Sequence, residues 1–105
     1  MRYLSLILFA MLLAPFAAQA QDIAGGERVA RQRCTGCHEI GERPKAPFGF
    51  APSFAKIARM KGMTQTSIEV FLGTPHEVMP NYTLSSKEIR DVAAYIASLR
   101  EPSRT

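Results

Sequence analysis

Apolar side chains recur every three or four residues near the C-terminal end of the chain, which is the spacing of one face of a helix. The members of this stripe are Ile89, Val92, Ala93, Ile96 and Leu99. Ser85 and Glu88 are spaced as a capping box at its start, and Pro102 marks its end. The pattern predicts an ordinary helix that buries one side in a core.

Three shorter helical segments precede this one, and each follows a polar residue that can act as its N-cap. Asp22, Ser53 and Thr64 stand at these positions. The predicted helices cover about residues 23–32, 54–60 and 65–72. Gly26 is interpreted as a point where the first helix crosses another. Loops separate the helices at residues 39–52 and 74–84, and the whole pattern predicts an all-α fold of about four helices.

The first 20 residues have the pattern of a secretory signal peptide. Arg2 gives a short basic start, residues 4–16 are apolar and uncharged, and Ala18-Gln19-Ala20 resembles a cleavage site. A retained membrane anchor is the alternative, but the run is shorter than the roughly 20 apolar residues that span a bilayer. We expect a signal peptide at residues 1–20 and one small periplasmic domain at residues 21–105, without stable membrane insertion.

The segment Cys34-Thr35-Gly36-Cys37-His38 carries the strongest chemical signal. Side chains three residues apart lie on one face of a helical turn, so that both thiols can form thioethers with vinyl groups on one edge of a porphyrin. The histidine that follows directly can then bind the iron. The spacing predicts one covalently attached haem c, with Cys34 and Cys37 binding the cofactor and His38 as the proximal iron ligand.

Three alternatives to haem attachment explain fewer residues of this segment than the haem does. A thioredoxin-type redox pair needs a parallel sheet, and the pattern predicts no convincing strand. A structural disulfide would leave His38 unexplained. A zinc site needs four ligands, and the chain offers only Cys34, Cys37, His38 and His76, two of which are adjacent in sequence.

Met79 is predicted to be the second axial ligand of the iron. It follows His38 by 41 residues, which is long enough to reach the opposite face of the ring, and Pro80 stiffens the loop. A thioether sulfur raises the reduction potential and blocks small ligands, which suits electron transfer. His76 is the rival ligand. The other methionines of the mature chain are interpreted as core filling: Met60 and Met63.

These residues resemble the class I c-type cytochromes, small single-haem proteins of the bacterial periplasm. The resemblance covers about residues 23–99 and implies a small cytochrome c fold wrapped around one covalent haem. It implies that the carbonyl of Pro52 accepts a hydrogen bond from the proximal histidine. It also implies His38 and Met79 as the axial pair. The aromatic Tyr95 of the last helix is expected to pack on the first helix near Gly26.

The charge balance narrows the class of partner. Residues 21–105 contain 12 basic and 9 acidic residues, a net charge of +3. This is too mild for nucleic acid and compatible with steering toward an acidic protein. We expect an electron carrier and not an enzyme, with a periplasmic dehydrogenase as donor and an oxidase or reductase as acceptor. The candidate docking residues are Lys45, Lys56, Arg59 and Lys61.

Two other functions would also use a covalently bound haem. The chain could be the haem subunit of a periplasmic dehydrogenase complex, in which the electron passes within a stable assembly. It could also be a ligand-binding or peroxidase-type haem protein, which needs an open or labile sixth position on the iron.

Overall fold

The computed structural model describes residues 21–42, 51–76, 78–79 and 83–101. In these ranges the chain forms no strand and four helices: α1 (Ile23–Arg33), α2 (Phe54–Arg59), α3 (Gln65–Leu72) and α4 (Ser86–Ser98). The predicted all-α class is confirmed. None of these helices is long and apolar enough to cross a membrane. The predicted signal peptide, the docking candidate Lys45 and Pro80 lie outside the described ranges.

Every helix begins where the sequence pattern predicts a cap. In each case the side chain of the N-cap residue accepts a hydrogen bond from a backbone N–H group of the first turn. These residues are Asp22, Ser53, Thr64 and Ser85. The predicted capping box of α4 is complete, because the Glu88 carboxylate accepts the Ser85 N–H group at 2.8 Å.

The last helix, α4, organises the packing of the others. It contacts α1, α2 and α3, whereas these three make no close contacts with one another. The apolar stripe predicted for α4 is buried from Val92 to Leu99. The rest of the core comes from the three other helices, through Ala30, Phe54, Ala58 and Ile68.

The contact between α1 and α4 depends on Gly26. A β-carbon at this position would lie 1.9 Å from the carbonyl oxygen of Asp91 and 2.9 Å from the backbone nitrogen of Val92. Backbone atoms of a packed helix cannot move aside cheaply, so only glycine permits this approach. The predicted crossing at Gly26 is therefore confirmed, and Tyr95 lies one turn further along α4.

We expect Gly26→Ala to lower the free energy of unfolding by about 2–3 kcal/mol, as overpacking of a tight contact does. The direction of this change in the free energy of unfolding is informative, because replacing glycine by alanine inside a helix would otherwise add about 1 kcal/mol of stability. Denaturant unfolding of the haem-loaded protein measures the change. Gly41→Ala is the control, since a β-carbon at Gly41 would meet nothing within 4 Å. Equal stability of the two variants would contradict the close crossing.

Asp91 is a buried charge that the sequence pattern did not predict. Its Oδ1 accepts the backbone N–H of Asp22 at 3.1 Å, and its Oδ2 pairs with Lys87 Nζ at 2.5 Å. Burial acts to raise the pKa of Asp91, but the hydrogen bonds from Lys87 and Asp22 outweigh it, and the pKa falls below its usual value. Asp91 thus ties the start of α1 to α4.

The two methionines assigned to the core differ in the structure. Met63 is half-buried and packs against the core, as predicted. The interpretation of Met60 as core filling is wrong, because its side chain is 38% exposed. Met60 directly follows the last residue of α2, and the chain then turns through Gly62, whose φ is +79°. Because Met60 is the C-cap of α2 and has extended backbone angles (φ −62°, ψ 140°), its side chain does not continue the buried face of the helix.

Candidate haem-binding site

The two cysteines lie on a turn that continues from α1. The backbone N–H of Cys34 donates to the carbonyl of Ala30 at 2.8 Å. The N–H groups of Cys37 and His38 both donate to the carbonyl of Cys34, at 3.2 and 2.9 Å. Both cysteines are half-buried free thiols. The predicted i, i+3 spacing on a helical turn is therefore present, which is what attachment to one porphyrin edge requires.

The hydrogen bond expected between His38 and Pro52 is present. His38 Nδ1 lies 2.6 Å from the carbonyl oxygen of Pro52. A carbonyl oxygen only accepts hydrogen bonds, so Nδ1 carries the proton and the neutral ring keeps its lone pair on Nε2. A carbonyl partner of this kind fixes both the tautomer and the ring orientation of a metal-binding histidine.

The two residues after His38 are also tied to distant parts of the fold. The carbonyl of Glu39 accepts the N–H of Phe54 at 2.9 Å, and the carbonyl of Ile40 accepts the Tyr95 hydroxyl at 2.6 Å. The His38 ring lies 5.3 Å from the ring of Phe54. Three successive residues are therefore held by Pro52 and the start of α2 on one side and by α4 on the other.

Phe54 and Tyr95 form the aromatic support of this segment, with ring centroids 6.4 Å apart in an edge-on arrangement. Burial, together with the negative charge of Glu27, raises the pKa of Tyr95, so its hydroxyl remains a donor. Phe54 was not identified from the sequence as a site residue. The available signal was its place as the first residue of α2, directly after the cap Ser53 and two residues after the proline that receives the histidine bond.

A cleft of about 210 Å³ opens beside this turn. Its walls come from the end of α1, the end of α3 and the loop that follows α3, and they include Cys34, His76 and Met79. Cys37, His38 and Pro52 lie outside this lining. The structure thus brings Met79 to the same cleft as one of the two thiols, although they are 45 positions apart in sequence.

The rival ligand His76 lines the same cleft but is engaged with the end of α3. Its ring stacks on Phe71 with a centroid distance of 3.6 Å and an interplanar angle of 17°. Its Nε2 lies 2.7 Å from the carbonyl oxygen of Phe71. Nε2 therefore donates a proton to that carbonyl.

The described residues fit a covalent haem c. They supply two thiols on one turn, an imidazole with its lone pair on Nε2, and a thioether sulfur at a neighbouring cleft, which is the donor set of a c-type site. Phe71 also lines this cleft and is 49% exposed, as expected of a wall that a large apolar group covers. Among the described residues, no three Cys, His, Asp or Glu side chains converge as a zinc site would require.

The described docking candidates do not line the cleft. Lys56, Arg59 and Lys61 are exposed, but none of them is part of the cleft wall. Arg33, which the sequence reasoning did not select, does line it. Its guanidinium donates to the carbonyl of Thr83 at 3.4 Å while the side chain stays exposed.

Two comparisons with known proteins find matches. The family model of cytochrome c oxidase, cbb3-type, subunit III matches residues 21–96, which include all five predicted haem-binding residues. The chain is also similar to cytochrome c-552 of Bradyrhizobium diazoefficiens, with 35% identity over 94 residues that cover 90% of each chain. No solved structure matches the chain significantly.

Proposed function

Because this chain belongs to the small c-type cytochromes, we propose that it carries single electrons between redox proteins of the periplasm. Members of this family bind haem c covalently, and the bound haem supplies a one-electron change at its iron. The observation that carries the proposal is the place of Met79, whose half-buried side chain lines one cleft with Cys34. A sulfur ligand here would close the iron to substrates.

Each candidate residue has a role in this proposal. Cys34 and Cys37 attach the haem through thioethers, and His38 and Met79 are its axial ligands. Pro52 holds the proton on Nδ1 of His38, which leaves Nε2 to bind the iron and limits rotation of the ring. Rigid ligands suit electron transfer, because the protein then has little to rearrange when the iron changes charge.

Carbon monoxide tests the carrier proposal directly. We expect the reduced, haem-loaded protein to keep its visible spectrum when carbon monoxide is added, since Met79 already occupies the sixth position. A prompt spectral shift in the unmodified protein would contradict the proposal. It would favour the alternative of a ligand-binding or peroxidase-type haem protein.

The family match supports a second candidate, the haem subunit of a larger redox complex. The matching family is described as a subunit of an oxidase, whereas the relative that matches over 94 residues is cytochrome c-552. Gel filtration of a gently prepared native extract distinguishes a free carrier from a subunit of a complex. A free carrier elutes near the 11.6 kDa of the full chain, less its signal peptide, and a subunit elutes with its complex.

Electron transfer to an acidic partner should depend on salt. We expect the second-order rate constant with the native partner to fall steadily from about 0.01 to 1 M ionic strength, since the screening length shrinks from about 30 to 3 Å over this range. Arg33→Gln should lower the rate at low salt more than Arg90→Gln, which removes the same charge from an exposed position of α4 outside the cleft wall. A flat salt profile would indicate an apolar docking face or a permanent complex.

A further inference from the structure

His76 closes the C-terminal end of α3. The last four carbonyl groups of a helix have no partner within it, and the carbonyl of Phe71 is one of them. It receives the side chain of His76 at 2.7 Å and the backbone N–H of Thr74 at 3.2 Å. The His76 ring also lies flat against the Phe71 ring, 3.6 Å away.

This arrangement keeps His76 from acting as a competing ligand through Nε2. That nitrogen donates its proton to the Phe71 carbonyl and has no lone pair to offer. Met79, three residues further along the chain, lines the same cleft and has a long, unbranched thioether side chain. The contact of His76 with Phe71 is therefore a described anchor only three positions before Met79.

We propose that the His76–Phe71 contact is a positioning device for Met79, so that His76 determines how firmly Met79 stays on the iron without binding it. This inference rests on the proposed ligation by His38 and Met79. The ring stack and the hydrogen bond hold residue 76 against the end of α3, three positions before Met79, which limits how far the sulfur can withdraw from the iron. Loss of the contact lets Met79 leave the iron more often.

Cyanide binding to the ferric, haem-loaded protein at one fixed pH measures this property, because cyanide enters only when Met79 leaves. We expect His76→Ala to keep the near-infrared sulfur-to-iron band and to bind cyanide about tenfold faster, the factor that loss of one hydrogen bond and one ring stack corresponds to. His76→Gln should recover part of the slow rate, since its amide can donate to the same carbonyl.

Thr74→Val is the matched control. The Thr74 hydroxyl donates to the carbonyl of Val70 at 2.6 Å, so this variant also removes one side-chain hydrogen bond from the end of α3. Thermal unfolding should show a similar loss of stability in Thr74→Val and His76→Ala. The cyanide rate should change only in His76→Ala.

Each other outcome overturns a defined part of the inference. An unchanged cyanide rate in His76→Ala, or an equal rise in Thr74→Val, shows that His76 only caps the helix. Loss of the near-infrared band in His76→Ala would show that His76 is itself a ligand of the iron, and it would overturn the positioning role. Absence of the band from the unmodified protein overturns methionine ligation itself, and this inference with it.

Discussion

Met79→Ala is expected to abolish the near-infrared sulfur-to-iron charge-transfer band of the ferric protein. The reduction potential should fall by a substantial part of the roughly 0.8 V range that axial ligands span, because a thioether stabilises the ferrous state. The open sixth position should then bind carbon monoxide when reduced and cyanide when oxidised. Optical titration and redox potentiometry of the purified protein measure all three effects.

Two other methionines provide the controls for this experiment. Met60→Leu and Met63→Leu should leave the band and the potential unchanged, since the first side chain is exposed and the second packs against the core. Loss of the band in either variant would contradict ligation by Met79. If Met79→Ala keeps the band, the carrier proposal loses its main support.

The double variant Cys34→Ala with Cys37→Ala is expected to lose covalent haem and most of its folded population. The expected mature chain, residues 21–105, is short, and domains of this size bury a low fraction of their surface and have little stability to spare. A large apolar cofactor in the cleft would supply the missing core. Intact-mass analysis and far-ultraviolet circular dichroism follow haem content and helix content in parallel.

The unmodified protein sets the reference for that comparison. Its intact mass should correspond to a chain that starts at Gln21 and carries one haem. Each single cysteine variant should keep one thioether and a lower haem yield. Isolation of a folded, haem-free protein with a Cys34–Cys37 disulfide would contradict the attachment proposal and favour a redox pair.

The helices could be predicted from the sequence because their signals are local. An N-cap, a stripe of apolar residues and a terminating glycine or proline all lie within a few positions of one another, as in α4. The close approach at Gly26 was also predictable, since a glycine inside a helix weakens it and needs a packing reason. The resemblance to c-type cytochromes predicted the bond from His38 to Pro52.

Other features depend on which helices meet, and no local pattern specifies that. Tyr95 and Ile40 are 55 positions apart, and their hydrogen bond exists only because α4 packs beside the segment after His38. Asp91 looks like an ordinary solvent-facing residue until α1 covers it. The choice between Met79 and His76 was open in the sequence, since both lie in one loop. The structure adds a hydrogen bond between His76 Nε2 and the carbonyl of Phe71, which supports the proposal of Met79 as the ligand.

The crossing of α1 and α4 has a consequence for how the protein is made. Gly26 and Asp91 are 65 positions apart, and α1 contacts no other described helix. Such a distant contact forms late, after the intervening chain has been synthesised and its loop entropy overcome. Until α4 arrives, α1 has no surface to pack on, and the turn with Cys34 and Cys37 stays open. We therefore expect haem attachment to precede folding, with α4 packing against α1 after the cofactor is bound.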